Sequence, residues 1–87
     1  MTRVDRIQAA LHAAFAPLRL VVEDQSEAHA GHAGAASGRG HFSVEIVSVA
    51  FAGQPALARH RMVYAALGDL METDIHALSV RALAPGE

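Results

Sequence analysis

Residues 25–40, QSEAHAGHAGAASGRG, contain no apolar side chain larger than alanine. Such a stretch cannot build a core, so whatever the chain buries must come from the segments on either side. Its glycines (Gly31, Gly34, Gly38 and Gly40) and its lack of periodicity predict a mobile loop from Gln25 to about Gly40. It also carries His29 and His32, with His41 at its end. The whole chain has 87 residues, enough for one small core, and reads as one domain over residues 1–87.

The flanking segments carry clear periods. In TRVDRIQAALHAAFAP, Val4, Ile7, Leu11 and Phe15 fall at spacings of 3, 4 and 4, the stripe of an amphipathic helix. Thr2 and Asp5 have the spacing of a capping box, and Pro17 ends the helix. Leu18, Leu20 and Val22 then alternate with Arg19, Val21 and Glu23, predicting a half-buried strand. HFSVEIVSVAF alternates again, with Phe42, Val44 and Ile46 on one side. Two such strands most simply form an antiparallel hairpin with a long tip.

The segment AGQPALARHRMVYAALGDLMET reads as a second helix, with Pro55 suited to its first turn. Its inward stripe is Ala56, His60, Val63, Leu67 and Leu70, and Gly68 lowers its helix propensity by about 1 kcal/mol relative to alanine. IHALSVRAL is a third strand, with His76, Leu78 and Val80 expected on one face. A strand, a crossover helix and another strand favour a parallel pair. The expected fold is therefore α+β: α-β-β-α-β, a three-stranded mixed sheet with both helices on one face. No internal repeat or linker interrupts it.

Composition excludes several function classes. Seven arginines and no lysine face nine acidic residues, a formal net charge of −2, which gives no general attraction to phosphate backbones. Cysteine is absent, so disulfides and thiolate ligands are too. The start MTRVDRIQAA lacks the apolar stretch of a signal peptide, and no apolar run approaches the ~20 residues that span a bilayer. A cytoplasmic protein without membrane contact is the expectation. No nucleophile–base pair has supporting spacing, so an enzyme is not expected.

The order VVEDQSEAHAGHAG, HFSVEIVSVAFAG, RHRMVYAALGDLM and IHALSV resembles the BolA family over nearly the whole chain. The match centres on an ungapped block: Phe51, Gly53, Arg59, His60, Arg61, Val63, Tyr64 and Leu67. The resemblance implies a fold like the class II KH domain and a non-enzymatic partner of monothiol glutaredoxins. In that family the BolA-like protein helps hold a glutathione-containing [2Fe-2S] cluster, in iron–sulfur cluster assembly and trafficking or iron regulation. Carried over by motif, the ligands are His76 and His29, the latter ending the D-x-S-x-x-H pattern of Asp24, Ser26 and His29; His32 is held in reserve. No cofactor is expected in the isolated protein, which reads as a monomer or weak homodimer. Gln25 departs from the family's frequent Glu, and Gly40 from its frequent Ser or Thr before His-Phe.

Without cysteine, the chain can offer such a cluster only imidazole. Histidine in place of cysteine on one iron raises reduction potential, and imidazole protonation near pH ~6.5 weakens ligation, so a pH-sensitive, labile complex is expected. A ring fixed on a strand, as at His76, is a better-defined ligand than a loop ring. His41 is expected to make a local hydrogen bond, His60 to be a partly buried helix anchor, and His12 to be solvated. Arg59 and Arg61 are expected to be exposed and ready to meet a carboxylate, glutathione or phosphate. A stand-alone zinc site of His29, His32 and His41 has weak support, because no carboxylate or closing shell accompanies it. The alternative function is a DNA-binding transcriptional regulator using the KH-like fold and the Arg59, His60, Arg61 and Tyr64 helix, with Arg39 and Arg81 adding charge. A G-x-x-G loop between helices, the phosphate cradle of KH domains, is missing.

Overall fold

Every second residue of the strand Gly40–Val47 is buried, and that strand lies in the middle of the sheet. The computed structural model describes residues 1–26 and 39–87. The loop expected over Gln25 to about Gly40, with His29 and His32, therefore falls largely outside the described residues. The elements are α1 (Arg3–Phe15), β1 (Arg19–Asp24), β2 (Gly40–Val47), a 3₁₀ turn (Val49–Phe51), α2 (Ala56–Leu67), α3 (Leu70–Thr73) and β3 (Ile75–Leu83). The sheet order is β1-β2-β3, with β1 antiparallel and β3 parallel to β2. This is the α+β mixed sheet that the alternation and the helical stripe predict.

Local chemistry explains the boundaries. Thr2 and Asp5 form the capping box of α1, each side chain accepting from the other's backbone N–H. Two expected elements end early. The strand read through Phe51 stops at Val47, because the Ser48 hydroxyl caps the 3₁₀ turn through the Ala50 N–H at 3.1 Å. The helix read over residues 52–73 starts at Ala56, after Pro55, and breaks at Gly68, whose φ of 52° lies in the left-handed region. Leu70–Thr73 resumes as a separate turn leading into β3.

One face of the sheet carries the core: Phe42, Val44 and Ile46 of β2 and Ile75 of β3, covered by Ile7 and Leu11 of α1 and Val63 and Leu67 of α2, with Phe51 beneath. Phe51 also meets Phe15 with ring centroids 5.0 Å apart. Each such side chain contributes roughly 1.5–3 kcal/mol on burial. Of the expected stripe on the second helix, Val63 and Leu67 are buried, His60 and Leu70 are half-buried and Ala56 is exposed. The opposite sheet face is open, and a shallow groove of ≈ 310 Å³ there is lined by Val21, Glu23, Ser43, Glu45, Ser79 and Arg81, among others.

Ser48 is the buried polar joint between these parts. Fully buried, it donates to the Phe15 carbonyl at the end of α1 while capping the turn after β2. Ser48→Ala leaves both partners unsatisfied and is expected to cost about 1–3 kcal/mol. Urea unfolding monitored by circular dichroism checks this; an unchanged midpoint would remove the joint from the account of stability.

Candidate functional site

His76 is the second residue of β3, and β3 departs from regular pairing there. Gly40 pairs with Ile75, but His41 pairs with Ala77, so His76 is the extra residue of a bulge. The physical cause lies in the core. Ile75 and Leu78 both pack with the buried cluster, an odd spacing that an unbroken strand cannot satisfy. The bulge absorbs the mismatch and leaves the His76 side chain exposed. The expectation that His76 shares a regular face with Leu78 and Val80 is thus corrected: those two pack against the core and His76 does not.

Beside it stands His41, half-buried at the start of β2, with ring centroids 5.2 Å apart and planes inclined at 52°. The two ends of the Gln25–Gly40 segment are tied to the same place. Gln25 N–H donates to the His41 carbonyl at 2.7 Å, and His41 N–H donates to the Ser26 hydroxyl at 3.1 Å. Ser26 N–H donates in turn to Asp24 Oδ1 at 2.9 Å, and these Ser26 contacts hold the Asp24 carboxyl below its ordinary value. Gly40 must lack a side chain for this: a Cβ there would sit 2.5 Å from Ser26 Oγ and 2.7 Å from the Phe42 ring.

On the other flank, Arg39 Nη2 lies 3.5 Å from His76 Nδ1, and Nη1 lies 3.4 Å from the Glu72 carbonyl. A guanidinium only donates, so Nδ1 accepts in this long contact. Asp74, just before β3, takes Arg6, Arg3 and the Thr73 hydroxyl, and its carbonyl accepts from Gly40 N–H at 2.9 Å. The Thr73 hydrogen bond first, and Arg6 next, keep the Asp74 carboxyl below its ordinary value. The base of His76 is therefore anchored to α1 and β2 together. Among the described residues, no group of three or more His, Cys, Asp or Glu could hold a metal ion.

The α2 residues separate sharply. Arg61 is exposed and Tyr64 is 39% exposed, whereas His60 is half-buried, as expected of a helix anchor. Arg59 is not exposed as expected: its side chain is only 13% accessible. Its guanidinium donates to both oxygens of Glu87, to the Ala82 carbonyl at 3.0 Å and to the Gln54 carbonyl at 2.8 Å. The chain's own carboxylate occupies the fork that sequence reading reserved for a partner. His12 is exposed, as expected.

Comparison with known proteins bears on what this arrangement belongs to. The family profile described as BolA-like protein matches residues 11–87. The chain belongs to the BolA family. Protein BOLA1, chloroplastic, of Arabidopsis thaliana is 43% identical over 89 residues, covering 98% of this chain and 55% of that protein. The Escherichia coli (strain K12) relative named DNA-binding transcriptional regulator BolA is 43% identical over 76 residues, 87% of this chain and 70% of its own length. The solved structure of BolA1 from Arabidopsis thaliana superposes with a TM-score of 0.85 at 37% identity, covering all of this chain and 96% of that one. This BolA-family chain spans about half the length of the plant BOLA1 protein. Among the described residues, no helix is long and apolar enough to cross a membrane.

Three parts of this BolA-family site escaped sequence reasoning: the His41–His76 contact, Arg39 beside His76, and Asp74 beneath it. A signal for the bulge was present, since Ile75 and Leu78 are both large and apolar at an odd spacing. The Arg59–Glu87 fork had no sequence signal, because the partners are 28 positions apart. It holds the Glu87 carboxyl down to about 2 from 4.5, with Arg59 as the main cause and the Ala84 N–H next. A lowered folded-state value means the contribution is complete above pH 4.5 and disappears as pH falls through about 2. Glu87→Gln is therefore expected to lower Tm at pH 7 and to melt like the parent at pH 2, as followed by circular dichroism.

Proposed function

We propose that this chain is a non-enzymatic adaptor that binds a monothiol glutaredoxin and joins it in ligating a glutathione-containing [2Fe-2S] cluster, in cluster assembly and trafficking or in iron regulation. The observation that carries the reading is the placement of His76. A bulge lifts it out of the core-facing series, beside a second imidazole, at the sheet end where both stems of the Gln25–Gly40 segment are tied. Membership of the BolA family supports it as well.

The donor chemistry fits. A chain without cysteine supplies neutral imidazole, which iron accepts, and the thiolates come from glutaredoxin and glutathione. His76 is one ligand and His29 the other, with His32 as substitute; the latter two lie outside the described residues. His29 follows Ser26 by three positions, and Ser26 is bonded to His41. When bound, the cluster supplies electron storage and a transferable iron–sulfur unit. The chain's own part is to hold the His76 ring on a strand, with Asp74 and Gly40 fixing the strand's start.

The second reading, a DNA-binding transcriptional regulator, has support in the name of the Escherichia coli relative. The internal use of Arg59 and the net charge of −2 weigh against it here.

Co-expression with a monothiol glutaredoxin tests the first reading. The purified mixture is expected to show the visible absorption and circular dichroism of a bound cluster. His76→Ala is expected to lose most of that signal, His29→Ala a large part, and His12→Ala none. Undiminished cluster signal in His76→Ala would sink the assignment. DNA titration at about 50 and 200 mM salt tests the second, since a phosphate-contacting protein loses affinity steeply across that range.

A further inference from the structure

Among the described residues β1 is an edge strand, with no strand paired to its outer side. Gln25 N–H bonds the His41 carbonyl in continuation of the β1–β2 register, which places the odd-numbered backbone groups of β1 toward β2. N–H and C=O groups of successive residues point to opposite sides of a strand, so those of Leu20 and Val22 point outward. Arg19–Asp24 contains no proline or lysine and pairs with β2 without a bulge, and its charged residues, Arg19, Glu23 and Asp24, flank an apolar Leu20–Val22 centre.

The sequence RLVVE, residues 19–23, is complementary to itself when read in the opposite direction. A twofold axis normal to the sheet through Val21 sets Arg19 opposite Glu23 of a second copy, twice. It sets Leu20 opposite Val22, also twice, and Val21 opposite itself. Facing is consistent throughout. Leu20 and Val22 pack against the core on the helix side, while Val21 and Glu23 line the groove on the open side. The outward N–H and C=O groups of Leu20 and Val22 are the ones this register needs. Arg19 and Glu23 fall at non-hydrogen-bonded positions, where cross-strand side chains come closest. Shifting the register so that Val22 faces itself puts Val21 opposite Glu23 and loses the charge match. β3, the other edge, has no such symmetry: about Ser79, its Arg81 meets Ala77.

We propose that two copies of this chain pair through β1, antiparallel, forming one six-stranded sheet β3-β2-β1-β1-β2-β3. The pairing is isologous and closed, so it stops at two. It leaves both His76 sites at the far edges of the joined sheet. The contact is small, one strand of six residues per copy, and the association is weak and concentration-dependent.

Sedimentation equilibrium of the full chain is expected to show a monomer–dimer equilibrium. Glu23→Arg and Arg19→Glu each place like charges opposite one another and are expected to raise the half-association concentration about tenfold or more. An equimolar mixture of the two variants restores both ion pairs and is expected to associate like the parent. Because the chain has no cysteine, Val21→Cys is expected to give a disulfide-linked dimer under mild oxidation, much faster than Val49→Cys on the 72% exposed Val49. In the unmodified chain, amide exchange at Leu20 and Val22 should slow as concentration rises, a readout that needs no folded variant. A monomer at millimolar concentration overturns the proposal, as does a dimer indifferent to both charge changes. Protection of these two amides only on adding glutaredoxin would give the edge to that partner and equally overturn self-pairing.

Discussion

The fold depends on a central strand that is hydrogen-bonded on both sides and buried on one face. β2 pairs with β1 and β3 while turning Phe42, Val44 and Ile46 into the core. Sliding it by one residue would send those three side chains to the open face, so its register is fixed by burial. Its neighbours inherit that register. The start of β2 then becomes the meeting point of Gln25, Ser26, Asp74 and Ile75. A close-packed glycine, Gly40, makes the meeting possible.

The histidine end of the sheet follows from this constraint. Once β2 is fixed, Ile75 pairs with Gly40 and Leu78 with Phe42, and one residue too many separates the two pairs. That residue is His76. Its exposure is a by-product of core packing, which makes its position rigid: moving it means unpairing buried Ile75 or Leu78. Asp74 adds an electrostatic anchor, since Arg3 and Arg6 of α1 and the Thr73 hydroxyl converge on its carboxylate. A side chain mounted this way loses little freedom when it binds.

Charge is largely spent inside the molecule. Arg3 and Arg6 face Asp74, Arg19 and Arg81 flank Glu45 on the open sheet face, and Arg59 holds Glu87. Arg61 and Tyr64 remain displayed on α2, a narrower surface than the run Arg59-His60-Arg61 suggests in one dimension. A run of basic residues on a helix spreads over about 100° per position, so neighbours in sequence rarely share a face. A surface so composed favours specific docking over a diffuse phosphate-binding field.

The sequence alone determined the element order, the mixed sheet, the capped first helix and most of the core, because periods of 3.6 and 2 are local properties of the backbone. It also excluded a thiolate ligand, through the absence of cysteine. Motif resemblance singled out His76 and His29. Only the tertiary structure decided that His76 stands on a bulge beside His41, that Gly68 divides the second helix, and that Arg59 is closed off by Glu87. Each of these joins residues through a register, a left-handed turn or a long-range ion pair. Such contacts depend on how separate elements pack together, and no local period in the chain encodes them.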